Sequence, residues 1–217
     1  MKIYTKTGDQ GTTSLYGGGR IHKDTIVFDV LGENDELSSR IGYLCALLEN
    51  PRREPICDCA SKPVCWHARH QCDILSMLRS IQGNLQDINA IIAGTFSTKK
   101  LPCFPDSNIT EIEKLIDSLE GENTKLTKFI LPGVTQIDSQ AHMCRTQARK
   151  AERYIYRLHH STEKIGNLKG RKKAILELGS VHIQPSILKY SNRLSDFFFV
   201  VARWLCRYIS GKKDVYK

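Results

Sequence analysis

The sequence has no run of about 18 apolar residues and no apolar segment at its start. The first absence excludes a membrane-spanning helix, and the second argues against secretion. Without an oxidising compartment, the eight cysteines do not predict a disulfide framework. Internal repeats and low-complexity tracts are missing, and strand signals are confined to short stretches such as Lys2–Thr5 and Lys128–Leu131. A non-repetitive, mainly helical protein is therefore expected.

The 217 residues are 41% hydrophobic and 25% charged, which is ordinary globular composition. We interpret 1–217 as a single domain with an irregular N-terminal arm at 1–26. Five segments carry apolar residues at alternating steps of three and four, which predicts an all-α five-helix bundle. Asn108 and Glu111 have the spacing of a capping box at the start of the third helix.

The net charge of +9 is concentrated in one stretch. Between His142 and Lys173, ten basic residues stand against two glutamates, a balance of +8. This concentration favours a local anion site over a generally basic coat, although a solvated helix face followed by a charged loop has the same composition. A nucleic-acid binder using Lys169–Lys173 is disfavoured because no stacking platform or recognition motif accompanies the run.

Polar residues flank the apolar stripes of three predicted helices. Cofactor sites in bundles are built from such positions, but exposed ion pairs worth about 0.3–0.5 kcal/mol each have the same spacing. These residues are Asp35 on the first helix, Arg145, Arg149, Glu152 and Arg153 on the fourth, and Asn192 and Asp196 on the fifth.

The arm between Thr5 and Ser14 is dense in hydroxyl groups and glycines and contains one lysine. Glycines let the backbone approach phosphate oxygens, hydroxyls donate hydrogen bonds, and Asp9 could hold Mg²⁺ through water. The arm has no Walker A ending, and a flexible linker has a similar composition.

Six motifs follow one another along the chain, each modest alone. They are Lys-Ile-Tyr-Thr-Lys-Thr-Gly-Asp at 2–9, Asp-Glu-Leu-Ser-Ser at 35–39, Ile-Gln and Leu-Gln-Asp within 81–87, Lys-Phe-Ile-Leu-Pro-Gly at 128–133, Ala-His-x-x-Arg and Arg-Lys-Ala-Glu-Arg within 141–153, and Asn-Arg-Leu-Ser-Asp at 192–196. Together they resemble the PduO-type ATP:cob(I)alamin adenosyltransferases, the animal mitochondrial members above all. The resemblance implies a trimer of five-helix bundles with active sites between subunits. The implied reaction moves the 5′-deoxyadenosyl group of ATP onto cobalt and releases triphosphate.

The resemblance also implies a role for each matched residue. The triphosphate is expected against Thr5, Lys6, Thr7, Gly8, Thr13, Ser14 and Lys23. The rest of the ATP site is expected to be Arg149, Lys150, Ala151, Glu152, Arg153 and Asn192. Arg145 is expected to pair with Asp35 of a neighbouring subunit. Phe129 is expected beside the corrin ring, with Asp196 supporting the same wall. The expected catalytic residues are Arg149, Arg145, Asp35 and Asp196.

This chemistry needs no side-chain base, because cob(I)alamin is itself a strong nucleophile. The protein has to hold C5′ in line with cobalt and stabilise the leaving triphosphate, which suits cationic side chains and Mg²⁺. Phe129 could displace the lower axial ligand of cobalt and ease reduction of cob(II)alamin. A core aromatic before a Pro-Gly turn is the alternative for Phe129.

Three departures from the family pattern stand out. Glu152 and Asn192 are 40 residues apart, and the family's connection is much shorter, so an insertion is expected near 160–185. Lys150 replaces the usual second arginine of the central motif, so a bidentate phosphate contact there is in doubt. The insertion near 50–72 is rich in zinc-ligand residue types, but their spacing is not standard, and a reduced cysteine-rich linker is the alternative. No metal site is assigned, and the residues concerned are Cys57, Cys59, Cys65, His67, His70 and Cys72.

The implied substrates are cobalamin and ATP with Mg²⁺, and the implied partners are a cobalamin reductase and an adenosylcobalamin-dependent enzyme. No nucleic acid or membrane is expected. No presequence is visible at Met1, and the resemblance implies the mitochondrial matrix in a eukaryote or the cytoplasm otherwise. A non-catalytic module that binds cobalamin or ATP and delivers it to a partner is the alternative function.

Overall fold

A computed structural model describes residues 2–15, 20–49, 66–94, 102–165, 183–209, 211 and 213–216. Within these ranges, the predicted helical bundle is confirmed. The structure contains five α-helices, together with two small two-stranded sheets and one π-helical turn. In chain order the elements are β1 (Thr12–Ser14), β2 (Arg20–His22), α1 (Ile26–Leu48), α2 (Trp66–Gly94), α3 (Ser107–Glu122), β3 (Ile130–Leu131), α4 (Gln136–Ile165), α5 (Pro185–Trp204), the π-helical turn (Leu205–Ile209) and β4 (Val215–Tyr216).

Helix α4 is central, since it packs against both α1 and α5, while α2 packs on α1 and α3 packs on α5. Its buried stripe contains small residues, among them Ala141, Cys144, Ala148 and Ala151, which let the neighbouring helices approach closely. Burial raises the pKa of Cys144 to about 12, so this thiol stays protonated and packs as a small apolar group.

The apolar stripes predicted for the five helices are confirmed, because their residues form one continuous core. On α2, the stripe from Ile74 to Ile92 is buried at each predicted position. On α5, the buried stripe runs from Ile187 to Leu205 and includes Ser191. A bundle of this kind leaves the polar edges of α4 and α5 facing outward, where a ligand can reach them.

The strand and cap predictions need three corrections. The stretch Lys2–Thr5 is irregular, and the strands of the arm are β1 and β2, which pair antiparallel. Lys128–Leu131 is a strand only at Ile130 and Leu131, where β3 pairs with β4. The capping box at Asn108 is wrong, because α3 begins one residue earlier and the Asn108 amide donates to Asn84 Oδ1 at 3.1 Å.

Both predicted insertions fall partly outside the described residues. Helix α2 already begins at Trp66 within the first, and α4 continues to Ile165 within the second. Of the proposed zinc ligands, Cys57, Cys59 and Cys65 lie outside the described residues, as does the side chain of His67. His70 is buried with Nε2 2.8 Å from Glu122 Oε1, whereas Cys72 is exposed.

In the described part of the chain, no three His, Cys, Asp or Glu side chains are grouped to hold a metal ion. Across the same residues, none of the helices combines the length and the apolar character that crossing a membrane requires.

Candidate active site

The loop before α4 is fixed by two local features. Gly133 has a φ of 105°, a left-handed conformation that a β-carbon disfavours. Thr135 and Asp138 then form a capping box, in which the Asp138 carboxylate accepts the backbone N–H groups of Val134, at 3.1 Å, and of Thr135. The Asp138 N–H in turn donates to the Thr135 hydroxyl at 3.4 Å. Segment 128–133 therefore enters α4 in one orientation.

Four arginines follow one another along α4 at intervals of one turn. Positions 145, 149, 153 and 157 share one face of the helix, and like charges at this spacing cost about 0.2–0.5 kcal/mol per pair. The last three face an open cleft of about 1000 Å³ between α4 and α5. The cleft is lined by Arg149, Glu152, Arg153, Tyr154, Tyr156, Arg157, His160 and Asn192. A polyanionic ligand bound in the cleft would offset the repulsion between these neighbouring arginines, and the cleft is large enough for such a ligand.

The far wall of the cleft is held by polar contacts. Asn192 Nδ2 donates to Glu152 Oε1 at 2.8 Å, which links α5 to α4. Arg193 Nη1 donates to Asn192 Oδ1 at 3.1 Å, and Arg193 Nε pairs with Glu113 of α3 at 2.6 Å. These contacts orient the Asn192 amide. Glu152 is the one carboxylate among the described lining residues, so cationic groups dominate the cleft.

A second pocket of about 980 Å³ lies where the loop before α4 meets α4 and α5. Phe129 is 88% exposed here, so the interpretation of this residue as a core aromatic is wrong. Leu126 and Leu131 are also exposed, which makes this loop an unusually apolar surface beside a cavity. The pocket is lined by Leu126, Thr127, Lys128, Phe129, Ile130, Pro132, His142, Arg145 and Phe199.

Arg145 lies one turn of α4 before the arginine cleft. It lines the Phe129 pocket and lies four residues before Arg149, which corresponds to a rise of about 6 Å along the helix. Its Nε donates to His142 Nδ1 at 3.3 Å. Burial and the nearby Arg145 lower the pKa of His142, although Asp138 and Asp214 oppose that shift. The neutral imidazole is the form that can accept this hydrogen bond.

The N-terminal arm folds around Arg20. The guanidinium donates from Nη2 to the carbonyls of Thr7 and, at 2.9 Å, Thr12, and from Nε to Thr12 Oγ1 at 3.1 Å. Pairing of β1 with β2 places Thr13 opposite Ile21. Gly11 permits the turn before β1 because its φ is 77°. In the described residues, the arm that was predicted to be irregular contains one short antiparallel strand pair with a turn before it.

This turn gathers several of the predicted phosphate ligands. A β-carbon added at Gly8 would lie 3.0 Å from Lys23 Nζ, so glycine allows the lysine to cross the turn. The Thr5 and Thr7 hydroxyls are 2.9 Å apart, and Lys6 between them has a φ of 60°. In the described residues, the arm adds no side chain to the Arg149 cleft of its own chain.

A sequence profile described as cobalamin adenosyltransferase matches residues 3–205. The chain belongs to the cobalamin adenosyltransferase family. Among its relatives, the corrinoid adenosyltransferase MMAB of Bos taurus is 31% identical over 221 residues, covering 100% of this chain and 76% of the relative. The corrinoid adenosyltransferase of Bacillus subtilis is 34% identical over 204 residues, covering 94% of this chain and 86% of the relative.

Solved structures of family members have the same fold. A variant of the PduO-type ATP:corrinoid adenosyltransferase from Lactobacillus reuteri, complexed with cobalamin and ATP, superimposes with a TM-score of 0.76 at 28% identity. The match covers 100% of this chain and 96% of that structure. A second variant of that enzyme, complexed with ATP, superimposes with a TM-score of 0.72 at 29% identity, covering 100% and 99%.

Other residues that the family resemblance singled out lie outside the two cavities. Lys150 Nζ contacts Glu33 Oε1 of α1 at 2.8 Å, a hydrogen bond that raises the pKa of Lys150. Ala151 is 4% exposed and packs in the helix interface. Asp35 on α1 and Asp196 on α5 are both exposed. Within the described residues, no ion pair joins Arg145 to an aspartate of its own chain.

The two cavities and the arm of this chain also contain residues that reasoning from the sequence missed. The continued four-residue spacing after Arg153 could have identified Arg157. Arg20 gave no comparable signal, because its partners are mainly backbone carbonyls that the hairpin brings to it. Phe199 is apolar and lies next to Phe198 of the buried α5 stripe, so the sequence does not distinguish it from a core residue. Only the packing of α4 on α5 shows that it lines a pocket.

Proposed function

We propose that residues 1–217 form one catalytic domain that transfers the 5′-deoxyadenosyl group of ATP to cob(I)alamin. The cobalt(I) electron pair attacks C5′ of ATP, and a cobalt–carbon bond forms. The C5′–O5′ bond breaks with its electron pair, so that triphosphate leaves. No proton has to be abstracted, which agrees with a site built from cations and apolar groups instead of a base.

This proposal depends mainly on the placement of the two cavities at successive turns of α4. Arg149 lines the cationic cleft, and Arg145, one turn earlier on the same face, lines the Phe129 pocket. A polyanionic nucleotide in the first and a large apolar ring in the second would meet along this face. In-line transfer requires just such a junction between two substrates.

The arginines of α4 would act mainly on the leaving group. Charge builds up on the triphosphate as the C5′–O5′ bond lengthens, and fixed guanidinium groups stabilise that charge more than they stabilise ATP itself. Arg149 and Arg153 are exposed to the cleft, while Glu152 and Asn192 form its polar wall. We assign Arg149 to the phosphate chain and the Glu152–Asn192 pair to the nucleoside.

The Phe129 pocket would receive the corrin ring. An exposed phenyl group on a fixed loop can lie against the lower face of the ring and exclude both water and an axial ligand. Removal of an axial donor makes cobalt easier to reduce, and axial ligation is a main control of such metals. His142 and Phe199, whose ring centroids are 6.4 Å apart, would form the base of this pocket.

The arm would serve the nucleotide cleft of a neighbouring subunit in a homotrimer. Its lysines and hydroxyls gather on one exposed turn, yet they do not line the cleft of their own chain in the described residues. In a trimer, the arm of one subunit would instead reach the arginine cleft of the next subunit. The same arrangement would bring Asp35 of one subunit to Arg145 of the next, with Asp196 on the adjoining surface.

Mg²⁺ would enter with ATP. The cleft offers this cation one carboxylate, Glu152, whose Oε1 already accepts a hydrogen bond. The phosphate oxygens of ATP, together with water and Asp9 of the arm, are the better hard ligands. A reductase that supplies cob(I)alamin and an enzyme that consumes adenosylcobalamin would be the partners. The compartment would be the mitochondrial matrix in a eukaryote and the cytoplasm otherwise.

The test is an anaerobic assay with chemically reduced cobalamin, ATP and Mg²⁺, in which the absorption spectrum reports the cobalt–carbon bond. We expect turnover by the wild type and a large loss with Arg149→Ala. Arg79→Ala is the matched control, since Arg79 is an exposed arginine of α2 paired with Glu49 at 3.3 Å. Tight cobalamin binding without any product would favour the non-catalytic delivery module.

A further inference from the structure

Arg203, near the end of α5, is a buried charge that the proposed chemistry does not use. Its side chain is 1% exposed, and all three of its nitrogens donate hydrogen bonds. Nε donates to Asp214 Oδ2 at 3.0 Å, Nη1 donates to Glu120 Oε2 at 3.2 Å, and Nη2 donates to the Thr124 carbonyl. A guanidinium buried this deeply is stable only while such partners stay in place.

These partners lie on both sides of the loop that presents Phe129. Thr124 precedes the pocket-lining segment 126–130 by two residues. Asp214 immediately precedes β4, which pairs with β3 through Ile130 and Tyr216. Arg203 therefore holds the start of the loop directly and the end of the loop through the C-terminal strand.

The same guanidinium also lies beside the base of the pocket. Its Cζ is 5.9 Å from the centroid of the Phe199 ring, one turn earlier on α5. The Phe199 ring in turn lies 6.4 Å from His142, centroid to centroid. Loop, strand and pocket base thus share one buried anchor. A two-residue strand pair has little stability of its own, so the position of β3 depends on tertiary contacts such as those of Arg203.

We propose that Arg203 and Asp214 form a latch that positions the Phe129 loop for the corrinoid. Both are positioning residues, because neither lines the pocket. The role as a corrinoid determinant rests on the proposed function, whereas the mechanical role of the latch does not. Glu120 shares the guanidinium but has no hydrogen bond to β4, and its side chain reaches the loop only through a long 3.5 Å hydrogen bond from Asn123 Nδ2. It therefore provides a comparison that leaves β4 in place.

The first experiment compares Asp214→Ala with Glu120→Ala in the full chain. Each substitution removes one carboxylate from Arg203, and a fall in Tm is expected for both. The fall should be larger for Asp214→Ala, because the Asp214 side chain is 11% exposed and that of Glu120 is 44% exposed. Only Asp214→Ala should raise the KM for cob(I)alamin, by about tenfold, because it frees β4 and misplaces the loop. The KM for ATP should stay within about twofold, and Asp214→Asn, which keeps an acceptor, should restore part of the loss. Equal effects of the two alanine variants on both KM values would overturn the proposal.

The second experiment needs no substrate and separates the latch from the proposed function. Hydrogen exchange of segment 126–131 is measured in the ligand-free wild type and in both alanine variants. Asp214→Ala should speed exchange there by about tenfold, while Glu120→Ala should leave it near the wild-type rate. Unchanged exchange in Asp214→Ala would refute the latch, whatever the enzymatic activity of the wild type.

Discussion

Replacement of Arg149 by glutamine tests whether this arginine binds a ligand or stabilises the fold. Arg149 has like-charged neighbours one turn away on both sides, Arg145 and Arg153. It is exposed, and none of the ion pairs among the described residues includes it. A side chain in this position repels its neighbours until an anion binds. Arg149→Gln should therefore weaken catalysis and stabilise the ligand-free protein.

The sizes of these two effects follow from the geometry. Relief of two like-charge pairs, each worth about 0.2–0.5 kcal/mol, should add about 0.4–1 kcal/mol to the free energy of unfolding. For a chain of this length, that corresponds to a rise in Tm of about 1–4 °C. Loss of a charge-assisted hydrogen bond to phosphate costs about 1.5–3 kcal/mol. The corresponding fall in kcat/KM is about 10–150-fold.

The assay pairs thermal unfolding without ligand with initial rates at varied ATP. Arg79→Gln is the control, because it makes the same change at an exposed arginine that has a carboxylate partner. Loss of that pair should lower the free energy of unfolding by about 0–1 kcal/mol and leave kcat/KM unchanged. The reasoning is refuted if Arg149→Gln lowers Tm as the control does, or if its kcat/KM stays within about twofold of wild type.

Three further predictions concern the neighbouring groups. Phe129→Ala should change the free energy of unfolding by less than about 0.5 kcal/mol, since the ring is exposed, yet raise the corrinoid KM; a large fall in Tm would contradict this. Lys150→Met should leave the ATP KM within about twofold, because Lys150 contacts Glu33, and a loss like that of Arg149→Gln would contradict it. Burial lowers the pKa of folded His142 below its unfolded value of about 6.5, so the unfolded chain binds the proton first. Its contribution to stability is therefore complete above pH 6.5 or so and lost progressively below it. Tm measured against pH should fall less steeply in His142→Asn, and an unchanged slope would contradict the assignment.

Much of the bundle follows from the sequence because burial of a helix face leaves a periodic pattern. The stripe from Ile137 to Leu158 predicted which face of α4 is buried, and the structure confirms it. The same periodicity put Arg145 and Arg149 on a common polar face, where the two cavities lie. Residues next to each other in sequence lie on different faces of a helix. Lys150 points about 100° away from Arg149 around the helix and reaches α1 instead of the cleft.

Cap and strand signals were less informative than periodicity. Asn108 lies at the start of α3, but its amide bonds to Asn84 of α2, a partner that local sequence does not show. Lys2–Thr5 has the composition of a strand, but the arm's pairing instead joins 12–14 to 20–22. Both errors arise because a polar group or a strand needs a partner, and the partner is chosen by the tertiary fold.

Periodicity and motifs were enough to predict the helical bundle, its buried stripes, the cationic face of α4 and the family to which the chain belongs. Those features are local, because spacing along a helix fixes which side chains share a face. By contrast, the three-dimensional packing was needed to show that Phe129 is exposed beside a pocket, that Arg20 organises the arm, and that Arg203 joins Thr124 to Asp214. These contacts join residues distant in sequence, and their energy depends on burial and geometry that no spacing rule contains.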